Sequence, residues 1–448
     1  MRWTVTTAIG QTKGWIPMTS SAFYRRIQRW SCFALLGLML NVAITSCFLL
    51  PVRSEAAYEL PTQLPPTVTI ATVTDTTDRP FFETTWQRYR ERFIQADGRV
   101  IDWENDDQRT TSEGQAYAML RALLIDDAET FDQVLAWGEQ NLARRDDDGE
   151  LLDHLWAWKW GPDAAPGDAK TWGILDENFA TDADIDAVTA LIMAARHWQK
   201  PAYLNLAKTK LKDIWDFSTD DISLEDDLSG RYLLPGPLEA FHPSPETWYL
   251  NPSYVAPYAF RLFAQVDQRR DWLALVDTGY RMLEESSKLS ELGLPSDWFL
   301  LHSEAPHYRE LPATAPLKSL YGFDAYRVWW RVALDLVWFE SAPAGHYLND
   351  HLSALLELWQ QTQQLPAQID LAGQAMVDYG ATSQYAMIYQ AARHLDTAAA
   401  ESIRENKLML ADPNDFWDGD SAYYTQNLAW LGLYPPEWVS TDWLSSAK

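Results

Sequence analysis

Cysteine is nearly missing from this chain. Cys32 and Cys47 are the only two in 448 residues, and both sit in an apolar N-terminal stretch. The body therefore has no disulfide to staple it and no thiolate to bind a metal, so a packed core must hold it together. None of the eight histidines stands in a zinc spacing such as H-E-x-x-H, and there is no Gly-x-Ser-x-Gly elbow or phosphate-binding glycine loop. Asp182, Asp184 and Asp186 open like a calcium loop, but Ala187 and Met193 stand where Gly and Glu are required. These absences predict that no metal or cofactor is needed. Basic residues are also short, 36 against 63 acidic ones. Residues 1 to 56 hold six of the basic residues and one of the acidic, which leaves 30 against 62 and a net charge of −32 on the remainder. Such a surface repels phosphate backbones and sets nucleic acid aside; it suits a neutral polymer or a polycation.

Aromatic side chains are abundant: 23 Trp, 20 Tyr and 16 Phe. Tryptophan presents a flat apolar face with one N–H at its edge, which matches a sugar ring with C–H groups on its faces and hydroxyls around its rim. Most of these rings are expected in the core; the excess points to carbohydrate. At the N-terminus, Arg25, Arg26 and Arg29 precede an apolar run from Trp30 to Leu50, and Ser54-Glu55-Ala56 follows. This order is that of a secretory signal over residues 1–56. The run is also long enough to span a bilayer, so an uncleaved inner-membrane anchor is the alternative. Either way the body is exported, to the periplasm or beyond. Residues 57–78, with Pro61, Pro65 and Pro66 among threonines, read as an extended linker rather than a packed element.

From Arg79 onward the apolar period is helical, and long β-alternating runs are scarce. Ala116, Tyr117, Leu120, Leu123 and Leu124 share one face; so do Ala187, Leu191, Ala194, Ala195 and Trp198, with Thr181 as N-cap. Further helical stretches run near 131–142, 203–217, 255–263, 271–283, 324–336, 351–363, 384–394 and 422–431. Around a dozen helices over residues 79–448, with no composition break, predict one all-α domain built as a helical toroid.

Three carboxylates stand where helical patterns begin: Glu113 in Thr110-Thr111-Ser112-Glu113-Gly114-Gln115, Asp182 in Ala180-Thr181-Asp182-Ala183-Asp184, and Asp324 in Tyr321-Gly322-Phe323-Asp324-Ala325-Tyr326-Arg327. Taken singly, each is explained by the helix dipole, which favours acids in a first turn. Together, and in this order, the three stretches resemble glycoside hydrolase family 8, and most of all the endoglucanase branch found with bacterial cellulose synthases. Leu155-Trp156-Ala157-Trp158-Lys159-Trp160 and Asn251-Pro252-Ser253-Tyr254 have counterparts too, and the likeness runs from about residue 80 to 435. Phe323 departs from the family, where a tyrosine is frequent before the base.

The resemblance implies an (α/α)6 barrel with a groove across one end, and hydrolysis of a β-1,4-glucan with inversion. It makes Glu113 the general acid, Asp324 the general base, and Asp182 a grip on the distorted sugar. Inversion needs one protonated carboxyl and one ionised carboxylate roughly 6.5–9.5 Å apart, with water between them and the sugar. A helix N-terminus alone would make Glu113 too acidic for its role, so burial or a neighbouring carboxylate must raise its pKa. Trp158, Trp172 and Tyr254 are expected as stacking platforms. Arg327, one turn after Asp324, is expected at the substrate and able to keep the base ionised, with a surface ion pair as its plainer alternative. Chitosanase, lichenase or xylanase action, a silent glucan-binding protein, and an association with a cellulose synthase complex stay open at this point.

Overall fold

In a computed structural model the described residues are 59–72, 78–105, 107–163, 171–224 and 228–445. The expected leader over residues 1–56 lies outside them. Residues 60–448 make one compact unit.

Among the described residues its α-helices are α1 (Arg79–Phe93), α2 (Ser112–Leu124), α3 (Ala128–Asn141), α4 (Thr181–His197), α5 (Pro201–Phe217), the single turn α6 (Leu238–Phe241), α7 (Pro257–Val266), α8 (Trp272–Ser287), α9 (Tyr326–Phe339), α10 (Ala342–His351), α11 (Ser353–Thr362), α12 (Thr382–Ala392), α13 (Thr397–Ile403), α14 (Tyr423–Leu433) and the single turn α15 (Thr441–Leu444). Six of them close a ring: α2 packs on α4, α4 on α7, α7 on α9, α9 on α12, α12 on α14, and α14 back on α2. An outer layer returns the chain between them, with α3 against α2, α5 against α4, α8 against α7, α10 against α9, α13 against α12 and α1 against α14. This is an (α/α)6 barrel.

The two layers follow from the sequence. Inner helices are surrounded on every side, so α4 is buried without a break from Thr181 to Ala195. Outer helices bury a stripe: Tyr203, Ala207, Lys210, Leu211 and Ile214 on α5. Many starts carry a cap. The side chains of Thr111, Asp127, Asp271, Ser341 and Asp396 accept backbone N–H groups of α2, α3, α8, α10 and α13. Thr181 is not the cap of α4 but its first residue; Ala180 precedes the helix without a side-chain bond.

Three segments differ from the sequence reading. Helix α10 escapes a search for apolar period because Pro343 and Gly345 read as a loop; proline is in fact welcome in a first turn, where its missing N–H costs nothing. The Trp-rich segment forms a 13-residue strand, Leu151–Asp163, paired antiparallel with Thr171–Phe179. Of the stretch expected as a linker, residues 59–72 are irregular but not free. Val68 is buried, Thr69 N–H donates to the His394 carbonyl at 2.9 Å, and Leu64 packs so close to Gly345 of α10 that a Cβ there would lie 2.6 Å from its methyl group. Proline and threonine favour an extended backbone, and here that backbone straps the outer helices.

The strands gather at one end of the barrel. Thr110–Thr111 pairs with Lys159 and Trp160 and leads into α2; Thr171–Phe179 leads into α4; Thr247–Leu250 and Phe299–His302 pair with each other ahead of α7 and α9. They wall the mouth formed by the N-termini of the inner helices.

Candidate active site

Parallel inner helices bring their N-termini to one rim, and the three carboxylates converge there. Glu113 lies in the first turn of α2 and Asp182 in the first turn of α4. Asp324 lies in the turn just before α9, and Arg327 in the first turn of α9 itself. Helix α9 stands across the ring from α2, so the long Arg327 side chain crosses the barrel axis to reach the others.

Arg327 is the hub. One terminal nitrogen, Nη1, donates to Glu113 Oε2 at 2.7 Å and Asp182 Oδ2 at 2.6 Å. The other, Nη2, donates to Asp324 Oδ1 and to Ser253 Oγ, both at 2.9 Å. The guanidinium is 1% exposed, which excludes a surface ion pair, and its donors point at the carboxylates rather than at open groove. Binding one planar fork keeps the Glu113 and Asp324 oxygens that face it within about 8 Å of each other. That is below the upper limit of roughly 9.5 Å for two carboxyls sharing one water.

Each carboxylate has further partners. Glu113 Oε1 accepts from the Tyr423 hydroxyl at 3.1 Å. Asp324 Oδ2 accepts from Trp298 Nε1 at 3.0 Å and Asn251 Nδ2 at 3.2 Å. Asn251 is held in turn by Ser253, whose backbone N–H and hydroxyl both donate to its side-chain oxygen. Burial pushes the Glu113 carboxyl up to about 7, with Arg327 pulling it down and the charges of Asp182 and Asp324 pushing it further up. Burial raises Asp324 above the usual carboxylate range as well, against the pull of Arg327. Desolvation thus outweighs both the helix dipole and the shared cation, and the proton-holding carboxyl that an acid catalyst requires is supplied by the site.

The aromatic residues divide. Tyr254 lies at the carboxylates, its ring 5.4 Å from the Arg327 guanidinium carbon. Trp158 and Trp172 lie on the hairpin whose inner strand pairs with Thr110 and Thr111, next to Glu113 in sequence. Trp172 is 46% exposed, and it is the only tryptophan among the described residues left so open to solvent. It leans on Trp160 at 5.3 Å, and the Arg99 guanidinium lies against both rings. The other two acids of the Asp182-x-Asp184-x-Asp186 run turn away from the mouth: Asp186 pairs with Arg331 inside the barrel, and Asp184 accepts from the Trp156 backbone.

Sequence reasoning missed Ser253, Trp298, Tyr423 and Asp297. Ser253 belongs to a motif that was recognised without a role. The others lie in loops or at helix starts where neither period nor spacing marks them.

Residues 67–435 match the family Glycosyl hydrolases family 8. An endoglucanase of Xanthomonas axonopodis pv. citri is 33% identical over 289 residues, 64% of this chain and 68% of that protein. An endoglucanase of Escherichia coli is 28% identical over 347 residues, 78% of this chain and 85% of that protein. Among solved structures, the endo-1,4-D-glucanase from Vibrio fischeri ES114 superposes with a TM-score of 0.63 at 25% identity, covering 78% of this chain and 93% of that one.

Proposed function

The chain belongs to glycosyl hydrolase family 8 and is a glycoside hydrolase, and on that premise we propose that it is an inverting endo-β-1,4-glucanase. The observation that carries the reading is the buried Arg327 guanidinium holding Glu113, Asp182 and Asp324 at the mouth of the barrel. The endoglucanases it resembles supply the substrate class.

In this reading the glucan lies across the mouth between Tyr254 and the Trp158–Trp172 hairpin. Glu113 donates its proton to the glycosidic oxygen as the bond to the anomeric carbon breaks. Asp324 takes a proton from a water molecule whose oxygen attacks that carbon from the opposite face, so the configuration inverts. Asn251 and Trp298 hold the Asp324 oxygen that does not face Arg327, while Arg327 keeps the carboxylate ionised. Asp182 adds a negative charge that raises Glu113; its own oxygens are held by Arg327 and by the Ala183 N–H, so it anchors the guanidinium from beneath the site. Phe323 offers no hydroxyl to the attacking water. Export to the periplasm or beyond rests on the N-terminal leader; among the described residues no helix is long and apolar enough to cross a membrane. Trimming of nascent glucan beside a cellulose synthase fits such a location.

The test of substrate is reducing-sugar release from carboxymethyl-cellulose, chitosan, lichenan and xylan, with viscosity followed in parallel. Carboxymethyl-cellulose is expected to be cut, with viscosity falling well before most reducing ends appear. Chitosan is the arm that the net −32 of the body favours next, and preferential cleavage of it would replace the glucan reading. NMR during early hydrolysis is expected to show the α-anomer first; an initial β-anomer contradicts inversion.

The pH profile follows from the two carboxyls. Glu113 acts only when protonated and sits at about 7, so kcat/KM falls as pH rises through that value. Asp324 acts only when ionised, so the rate falls again on the acid side, at a pH above the usual aspartate range. A rate that stays level up to pH 9 is incompatible with Glu113 as the acid.

A further inference from the structure

The loop between α8 and the strand Phe299–His302 places two neighbouring residues on the turn that carries Asp324. Trp298 holds the carboxylate: its Nε1 donates to Asp324 Oδ2 at 3.0 Å. Asp297 holds the backbone beneath it. Its Oδ1 accepts the Ala325 N–H at 2.8 Å, and the Asp324 N–H also points at this carboxyl. The Asp297 backbone N–H donates to the Leu320 carbonyl at 2.7 Å, which ties the loop to the other side of the same turn. The approach is close at Gly322: a Cβ there would lie 2.7 Å from Asp297 Oδ2, so a side chain at this position would displace the carboxyl. Backbone N–H groups just ahead of a helix have no partner within it and need an acceptor. Asp297 supplies that acceptor from a segment remote in sequence, so the turn is clamped from outside rather than by its own cap; α9 has no side-chain cap at Ala325.

We propose that Asp297 is a positioning residue of the reaction, fixing the turn that aims the Asp324 carboxylate at the attacking water. The inference rests on the reading of Asp324 as the base. The clamp works best as a neutral carboxyl. Burial and the charge of Asp324 both raise Asp297 well above the usual carboxylate range, while the two backbone N–H groups and the more distant Arg327 oppose this. The other titratable groups facing it are the phenols of Tyr321, Tyr326 and Tyr424, which bring no positive charge. With its proton retained, Asp297 grips the base through its carbonyl oxygen without adding a second negative charge beside it. An ionised clamp would compete with Asp324 for the favour of Arg327 and draw the proton back onto the base.

The test compares Asp297→Asn, Asp297→Ala and Asp324→Asn in the full chain, on whichever polysaccharide the wild type cleaves, with thermal unfolding as a check of folding. Asparagine keeps a neutral acceptor oxygen in place. Its kcat is expected within about threefold of wild type, with the acid side of the pH profile unmoved. Alanine frees the turn, and a misplacement of order 1 Å costs about 100-fold in rate, so kcat is expected to fall by that amount with KM within about threefold. If Asp297→Ala unfolds below assay temperature, Asp297→Leu, which fills the volume without an acceptor, takes its place with the same expectation. A fully active alanine or leucine variant beside an inactive Asp324→Asn overturns the clamp alone. An equal loss of kcat in Asn and Ala also overturns it, because position would then not be what the carboxyl supplies. An active Asp324→Asn overturns the assignment of the base and the clamp with it.

Discussion

Glu113→Gln is expected to lower kcat by about a thousandfold while KM stays within a few-fold. The amide keeps the size of the side chain and can still accept from the Tyr423 hydroxyl, but it has no proton to give the leaving oxygen. General acid catalysis contributes roughly 10²–10⁴-fold, and a glycosidic oxygen is a poor leaving group without it. Binding is expected to be spared because the proposed sugar contacts lie on the aromatic rim of Tyr254, Trp158 and Trp172. Asp324→Asn is expected to lose as much for the opposite reason: the amide cannot take the proton from water. The two variants separate on an activated aryl glycoside whose leaving group needs little protonation. Glu113→Gln should recover most of its rate there, and Asp324→Asn should not. Equal behaviour of both variants on the two substrates would show the acid and base roles to be wrongly assigned.

Arg327→Met is expected to cost both stability and activity, and the cost grows with pH. The guanidinium is buried and faces three carboxylates, so removing it leaves negative charges without a partner in a poorly solvated site. Losing one member of a buried ionic group costs about 3–5 kcal/mol, a large share of the roughly 5–15 kcal/mol by which a folded domain is stable. The sign of the pH dependence follows from linkage. Without the cation, burial and mutual repulsion raise Glu113 and Asp324 further than in the wild type, where Arg327 opposes both. A carboxyl raised in the folded state favours folding below its unfolded pKa, and that contribution is lost as pH rises through the folded value. The variant should therefore unfold at markedly lower temperature than wild type at pH 7.5 and approach it at pH 5. Its kcat should drop at least 100-fold at neutral pH, because Asp324 then holds a proton. Equal melting temperatures of variant and wild type at pH 7.5 would mean the guanidinium is not what holds the three acids together.

The helical period was legible for the inner helices because they are long and strongly patterned, as in α4. It failed for α10, where a first-turn proline imitates a loop. It also failed for the Trp-rich hairpin, where half-buried strands at a barrel mouth lack a clean alternation. Glu113, Asp182 and Asp324 were found from their motifs, and the structure brings them together. Arg327 was expected at the substrate and beside the base; it is buried and bonded to Asp324, and its reach to Glu113 and Asp182 had no sign in the sequence, since a position in the chain says nothing about which way a helix faces across a ring. Trp298, Tyr423 and Asp297 left no mark at all. Their partners lie 26, 310 and 28 positions away, and hydrogen bonds of that reach have no period.

The sequence by itself determined the family and the helical class, and it singled out three acids as candidates, because those are properties of short segments and of their order. Tertiary structure decided the proton affinities of Glu113 and Asp324. Each acid sits at a helix start that, in isolation, would make it more acidic. Only closure of six inner helices into a ring buries Glu113 and Asp324 beside like charges, and sends one arginine across the axis to limit the rise.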